Sequence, residues 1–320
     1  QSNQSCSNHE LTFKNSLYAA TYTLILIPGL LANSAALWVL CRFINRKSKA
    51  VIFMINLAVA DLAHILSLPL RIYYYINSMW PFGTFLCLVC FYLKYLNMYA
   101  SIYFLTCISV QRYFFLYQPF KAKNWKRRYD VAISATVWLM VGVACLPFPI
   151  MRSYELADSN HTCFADLKVQ PIDSKVATVV MTGAAEIFGF VGPLAIILFC
   201  TWKTKAFLQG FQVPLQSSSE KSRALRMVSM CAIVFCLCFA PYHINFFFYM
   251  LVKENVIVDC FLSTVTLHTQ PFCLSLASLD CCLDPILYFF TTSEFQDQIS
   301  RHSSTVIRSR LMSKESGSSM

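Results

Sequence analysis

Charge is scarce in this chain. Only 13% of its 320 residues are Asp, Glu, Lys or Arg, about half of the ~25% that coats an ordinary soluble domain. Too little polar surface remains to cover a water-facing body of this size. Glycine is scarcer still, with 8 in all, which argues against the paired repeats of broken helices that transporters use. Neither His-Glu-x-x-His nor Gly-x-Ser-x-Gly occurs, so the chain is not expected to be an enzyme of the membrane interior. An aromatic share of 15% excludes a disordered chain.

What is present is 57% hydrophobic residues, gathered in seven long blocks. They run Leu17 to Cys41, Ala50 to Ile76, Gly83 to Tyr117, Tyr129 to Met151, Val176 to Trp202, Met227 to Val252 and Cys260 to Phe290. Each can cross a bilayer, since a helix spans the hydrocarbon in about 20 residues. The runs lack the two-residue alternation of barrel strands. The expected fold is all-α: an extracellular N-terminus over 1–16, a seven-transmembrane helix bundle over 17–290, and a cytosolic tail over 291–320 that opens with a short amphipathic helix.

Lys and Arg orient the bundle. The segments following blocks one, three, five and seven hold 18 of them, and the opposite face holds 5: Lys14, Arg152, Lys168, Lys175 and Lys253. The N-terminus is therefore expected outside, in a multi-pass protein of the plasma membrane. No cleavable signal peptide is evident, so the first crossing is expected to direct insertion. The net charge of +10 is explained by a cytosolic rim facing anionic membrane lipid, with no nucleic acid required. Two glycosylation sequons, at Asn3 and Asn160, fall on the outer side. Four cysteines lie there too, Cys6, Cys87, Cys163 and Cys260, and four permit three pairings. Cys87 with Cys163 would tie the long second outer segment over the bundle mouth, leaving Cys6 with Cys260. A metal at Cys87-x-x-Cys90 is disfavoured by the oxidising exterior and the lack of an outer His cluster.

Intramembrane polar residues are expensive and so are functional candidates. On block three, Lys94, Met98, Ser101, Leu105, Ile108 and Arg112 recur at spacings of four and three, one helix face. Asp61 and Arg71 are separated by about 15 Å along helix two and roughly 80° around it, which puts Asp61 deep and Arg71 near the outer mouth. Asp61, Ser101, Asp280 and Asp284 can converge at mid-bundle, around either a sodium ion or shared protons. No other cofactor is expected. In the outer half, Arg71, Lys94, Arg152 and Lys253 can line a cavity that selects an anion, with Glu186 the one helix acid there; snorkelling at helix ends is the plainer account of Arg152 and Lys253.

These landmarks resemble a family. Gly29-Leu-Leu-Ala-Asn33, Asn56-Leu-Ala-Val-Ala-Asp61, the spacing of Cys87 and Cys163, Trp138, Pro193, Cys238-Phe-Ala-Pro241 and Asp284-Pro-Ile-Leu-Tyr288 stand in the order of a rhodopsin-like (class A) G-protein-coupled receptor. Ser67-Leu-Pro-Leu-Arg-Ile72, Trp80-Pro-Phe, Phe91-Tyr-Leu-Lys-Tyr95, Asn97-Met-Tyr-Ala-Ser-Ile102 and Phe239-Ala-Pro-Tyr-His243 are similar to its purinoceptor-like branch. Within that branch the Lys126-Arg-Arg-Tyr-Asp130 stretch and the tail from Arg308 to Met320 resemble lysophosphatidylserine receptors.

The resemblance implies a lysophospholipid ligand and a heterotrimeric G-protein partner, with the twelve/thirteen class favoured. A nucleotide-sensing purinergic receptor is the alternative, and a membrane transporter a more distant one. The implied ligand-binding set is Arg71, Tyr74, Lys94, Tyr95, Tyr99, Phe148, Arg152, Met181, Phe188, His243 and Lys253. The acyl chain would leave between helices four and five, past the small residues Gly183, Ala184, Ala185 and Gly189. The implied activation switch is Gln111, Arg112, Tyr113, Phe239, Pro241, Asp284, Pro285 and Tyr288. Three positions depart from the pattern: Gln111 replaces the acid of the acidic-Arg-Tyr triplet, Thr201 replaces a tyrosine, and Phe246 stands where nucleotide receptors carry a helix-six cation. Because Gln111 cannot ion-pair with Arg112, restoring an acid there is expected to lower basal signalling.

The orientation has a direct check. Asn160 should carry glycan in cells, and protease should reach the segment from Gln209 to Ser219 only from the cytosolic side; an engineered glycan acceptor in that inner segment, found occupied, would reverse the orientation.

Overall fold

Seven helices are long and apolar enough to cross a membrane in a computed structural model of the chain: helix one Thr12–Arg42, two Val51–Asn77, three Gly83–Tyr117, four Arg127–Ile150, five Thr182–Gln209, six Ser222–Val252 and seven Thr264–Tyr288. The structure describes residues 2–42, 51–158, 163–164, 175–210, 218–253 and 259–291, and no strand occurs among them. The expected amphipathic helix beyond helix seven lies outside the described residues. The first helix winds from Ser2 to Arg42, earlier than the block starting at Leu17, because 2–16 contains neither Gly nor Pro to stop it.

Prolines accompany the departures in helices four, five and six, while Pro28, Pro69 and Pro271 lie within continuous helices. A proline has no N–H for the carbonyl four residues back. Block four accordingly divides into Arg127–Ala144 and a second helix, Pro147–Asp158, that opens on its proline. In helices five and six the ladder widens to a π turn, at Ile187–Val191 and at Phe235–Phe239, just ahead of Pro193 and Pro241. Helix seven parts at Leu279 into Cys260–Ser278 and Asp280–Thr291, and the Asp280 carboxylate accepts from the Cys281 amide at 2.7 Å.

Side chains from neighbouring helices take up the backbone groups this frees. Pro285 leaves the Cys281 carbonyl without its usual donor, and Asn33 Nδ2 of helix one donates to it at 2.7 Å. Gly29 makes that approach feasible: a Cβ there would stand 3.0 Å from Ile65 and 3.7 Å from the Cys281 carbonyl. Helices two and four are joined at Asn56, which accepts from Trp138 Nε1 at 2.7 Å and donates to Ser134 Oγ at 3.2 Å. At the outer rim Gly83 adopts a φ of 79°, closing a turn in which Trp80 Nε1 donates to the Gly83 carbonyl at 2.8 Å. Cys87 and Cys163 form the expected disulfide; the side chains of Cys6 and Cys260 lie outside the described residues. The outer faces of the helices carry exposed Leu24, Ile27, Leu31, Leu66 and Leu139, as a lipid-facing surface requires.

One close contact bears on the small-residue stretch of helix five. A Cβ on Gly189 would come within 2.7 Å of Tyr99 Cε1, whereas nothing lies within 4 Å of one on Gly183. The space at Gly189 is therefore occupied by the Tyr99 ring and is not an opening; the free space is at Gly183. Overpacking of this kind costs ~1–3 kcal/mol, so Gly189→Ala should lower the melting temperature of the purified protein while Gly183→Ala leaves it near the parent's. Equal melting of the two variants would show that Tyr99 yields without cost.

Candidate ligand pocket and inner switch

Arg71 is placed by the outer turn of helix two and is 1% exposed. Its Nη2 donates to the Cys90 carbonyl of helix three, and its guanidinium sits 4.4 Å from the centre of the Phe164 ring. Phe164 follows the bridged Cys163, so the disulfide holds this ring over Arg71. Tyr74 and Trp80 pack edge-on against the same ring at 5.2 and 5.4 Å. Lys94, half-buried above the Tyr95 ring, is close enough to Arg71 for mutual repulsion, and buried His64 faces both cations. Among the described residues neither Arg71 nor Lys94 has a carboxylate partner, and Arg71 Nε has no hydrogen-bond acceptor. Arg71 thus lies in the outer part of helix two, enclosed beneath Phe164.

Below the cations lies an aromatic layer. Tyr95 stacks on Phe148 at 4.0 Å, Tyr99 lies 6.5 Å from the same ring, and Tyr99 meets His243 edge-on at 5.8 Å. His243 is tied to helix five: its Nδ1 is 3.1 Å from each oxygen of Glu186, and its ring stacks on Phe190 at 4.9 Å. Phe246, one turn on, stacks on Tyr242. Asn245 joins helix six to helix seven, donating to Gln270 Oε1 at 2.5 Å and accepting from Thr269 at 2.6 Å. Arg152 is buried. Phe188 is not brought to this cluster: its side chain points away from the bundle, 70% exposed. The side chains of Met181, Lys253 and Asn3, and all of Asn160, lie outside the described residues.

At mid-bundle, ligand atoms of Asp61, Asp280 and Cys281 all fall within 4.8 Å of one another. Asn97 donates to Asp61 at 2.9 Å, and the Cys281 thiol donates to the Asn97 side-chain oxygen at 3.8 Å. Ser101 lies beside Asp280 and accepts a long hydrogen bond from Asn97 Nδ2 at 3.5 Å. Asp284 is near enough to feel both other acids but stands outside the three-residue group. Asp61 Oδ2, Asp280 Oδ2 and both Asp284 oxygens are buried without a hydrogen-bond partner among the described residues. Oxygen-rich donors with spare lone pairs suit a hard cation, and protonation is the other way to relieve them.

At the inner end, Gln111 Nε2 donates to Asp130 of helix four at 2.7 Å, while Arg112 faces Cys231 of helix six. Tyr113 packs on Tyr117 and Phe199. Thr201 spans from helix five to six with a long bond to the Val228 carbonyl, 3.4 Å. Phe239 is fully buried on Phe235, and buried Tyr288 lies beside Asp284, adjoining Pro285.

Of the expected residues the structure therefore assembles Arg71, Tyr74, Lys94, Tyr95, Tyr99, Phe148 and His243 in the outer half, and Asp61, Ser101 and Asp280 below. It adds His64, the pairing of Glu186 with His243, Asn97, Cys281 and Asp130. Asn97 carries a readable signal, one turn before Ser101 on the same face. The others depend on helix rotations that spacing does not report.

Residues 32–288 match the family described as 7 transmembrane receptor (rhodopsin family). The chain is 64% identical over 315 residues to the purinoceptor of Mus musculus numbered 10 in the Y series, covering 98% of this chain and 96% of that one. It is 50% identical over 290 residues to G-protein coupled receptor 174 of Homo sapiens, 90% and 87% of the two chains. It is 33% identical over 301 residues to lysophosphatidic acid receptor 6 of Homo sapiens, 93% and 87%. With seven membrane-length helices and the expected disulfide beside these matches, the chain belongs to the rhodopsin family of seven-transmembrane, G-protein-coupled receptors.

Proposed function

We propose that this receptor responds to an anionic lysophospholipid, lysophosphatidylserine foremost, at the cell surface, with its N-terminus and its glycans outside. The observation that carries this reading is the juxtaposition of buried Arg71 and half-buried Lys94, two cations that repel one another with no carboxylate beside either among the described residues. An unpaired buried charge costs several kcal/mol, and a phosphate or carboxylate head group relieves both at once. Arg71 can hold it bidentately and Lys94 adds a point charge; Arg152 and Lys253 belong to the same proposed set, and Tyr74, Tyr95 and Tyr99 offer neutral donors. The acyl chain is taken past Phe148 towards the open space at Gly183. Two relatives at greater distance support the class, since lysophosphatidic acid receptors 6 and 4 are named for a lysophospholipid.

The runner-up is a nucleotide, favoured by the purinoceptor name of the relatives at 64% identity. Two features oppose it. Phe246 occupies the helix-six position of the expected cation, and His243 is committed to Glu186, whose carboxylate would repel a polyphosphate.

Signalling requires that the ligand bind the active arrangement better than the resting one. Helix six pivots at Pro241, where the π turn already weakens the ladder. Its inner end moves to open a groove for the carboxyl-terminal helix of Gα, with Arg112, Tyr113 and Tyr288 at the groove and the twelve/thirteen class as the partner. Sodium bound by Asp61, Ser101, Asp280 and Asp284 favours the resting state; the unpartnered oxygens there support this.

A panel of lysophospholipids and nucleotides, read as nucleotide exchange on several Gα proteins in reconstituted membranes, tests the ligand. Lysophosphatidylserine should activate. Arg71→Ala should remove a charge-assisted contact of about 1.5–3 kcal/mol, lowering potency roughly tenfold or more. Lys94→Gln, which spares the Arg71 packing on Phe164, should also weaken it, and Phe246→Ala should do much less. Full activation by a nucleotide with no response to any lysophospholipid reverses the assignment.

Sodium should weaken agonist binding relative to an organic cation at equal ionic strength, and Asp280→Asn should remove the difference. Agonist affinity in the parent receptor that ignores sodium would leave the acids protonated instead.

A further inference from the structure

The acid missing beside Arg112 has a counterpart elsewhere in the fold. Asp130 lies in the first turn of helix four, within its first segment Arg127–Ala144, and is 8% exposed. One of its oxygens accepts two hydrogen bonds, from Gln111 Nε2 at 2.7 Å and from Trp125 Nε1 at 2.8 Å. An ionised carboxylate only accepts, so the Gln111 amide must turn its NH2 towards it; Gln111 Oε1 then stands buried with no partner among the described residues. Glutamine here is therefore a donor directed at a specific acceptor, and not merely the absence of an acid.

The second donor extends the restraint to the loop between helices three and four. Trp125 packs on Phe114 at 5.6 Å, Phe115 at 5.8 Å and Tyr129 at 5.4 Å. It follows the short helix Pro119–Lys123, which leaves Phe120, Lys121 and Lys123 exposed. One carboxylate thus fixes the inner end of helix three, the loop and the start of helix four relative to one another. Burial opposes the negative charge, and the two hydrogen bonds, nearby Arg127 and the helix-four N-terminus offset part of that cost.

We infer that Asp130 is the positioning residue of the inner switch: it restrains the segment bearing Arg112 in the resting arrangement, with donor and acceptor exchanged between helices three and four relative to the usual triplet. This reverses the sign expected for an acid at position 111. A carboxylate placed there meets the carboxylate of Asp130 within hydrogen-bond distance, and the two repel. The restraint is then lost and the resting state is less favoured.

Isosteric exchanges separate this from general destabilisation, and basal nucleotide exchange on Gα reads it without any ligand, so that the outcome does not depend on which agonist the receptor takes. Gln111→Glu should raise basal exchange per receptor roughly tenfold, the ratio that loss of a charged hydrogen bond of this kind corresponds to. Asp130→Asn, which keeps an acceptor for both donors but removes its charge, should give a smaller rise than Gln111→Glu. The double variant Gln111→Glu with Asp130→Asn restores one donor and one acceptor and should return to the parent's baseline. Trp125→Phe, keeping the ring but not its N–H, should give a smaller rise. If Gln111→Glu alone fails to reach the membrane, recovery of surface receptor in the double variant supports the inference and no recovery overturns it. A baseline lowered or unchanged by Gln111→Glu, or a folded double variant that stays raised, also overturns it.

Discussion

A bilayer offers no water to a stray carbonyl or amide, and that constraint decides where the prolines and polar side chains of this chain go. Each proline within a crossing frees a carbonyl that must be met from inside the protein. The Cys281 carbonyl, released by Pro285, is met by Asn33 from another helix, which is why an asparagine of helix one and a proline of helix seven act as a unit. Prolines 193 and 241 are met differently, by π turns. The same economy governs side chains: Asn56 serves two neighbours, and Asn97 both donates and accepts at mid-bundle. The landmarks of the sequence are, physically, the partners in these exchanges.

Charge is distributed by depth under the same constraint. Among the described residues, cations without a carboxylate partner lie in the outer half, acids with unpartnered oxygens at the middle, and at the inner end an acid that is already paired. The first two layers carry charged groups left incomplete among the described residues, each in the sense that a small ion or ligand of opposite charge would repair. The inner layer is closed by amide and indole donors, so that its chemistry is internal and its partner a protein surface.

The seven crossings were legible because twenty apolar residues in a row have few other destinations, and the depth of Asp61, Arg71, Lys94 and Ser101 followed from helical spacing alone. Helix interruptions were only half legible: Pro147 divides block four, but the same residue type in helix five gives a π turn and no break. What spacing could not give was rotation between helices. Glu186 read as a lone outer acid until helix five was turned against helix six, which brought His243 to both its oxygens. Gln111 read as a loss for the same reason, since its acceptor is nineteen residues away across a loop. Tyr99 entered the implied ligand-binding set with no sign that its ring fills the space that Gly189 leaves.

Helix six shows how these contacts become a mechanism. On the outer side of Pro241 it is fastened twice: His243 binds Glu186 of helix five, and Asn245 is held by Gln270 and Thr269 of helix seven. On the inner side the described side-chain link to helix five is the long bond from Thr201 to the Val228 carbonyl, at the position where the family pattern has a tyrosine. The ladder is weakened between the two halves by the π turn at Phe235–Phe239. A body held at one end and hinged in the middle moves furthest at the other. On the proposed reading, a ligand at the aromatic layer around Tyr99 and His243 need not push helix six inward or outward as a whole: a small rotation of the held end is enlarged, through the hinge, at the end that faces Arg112.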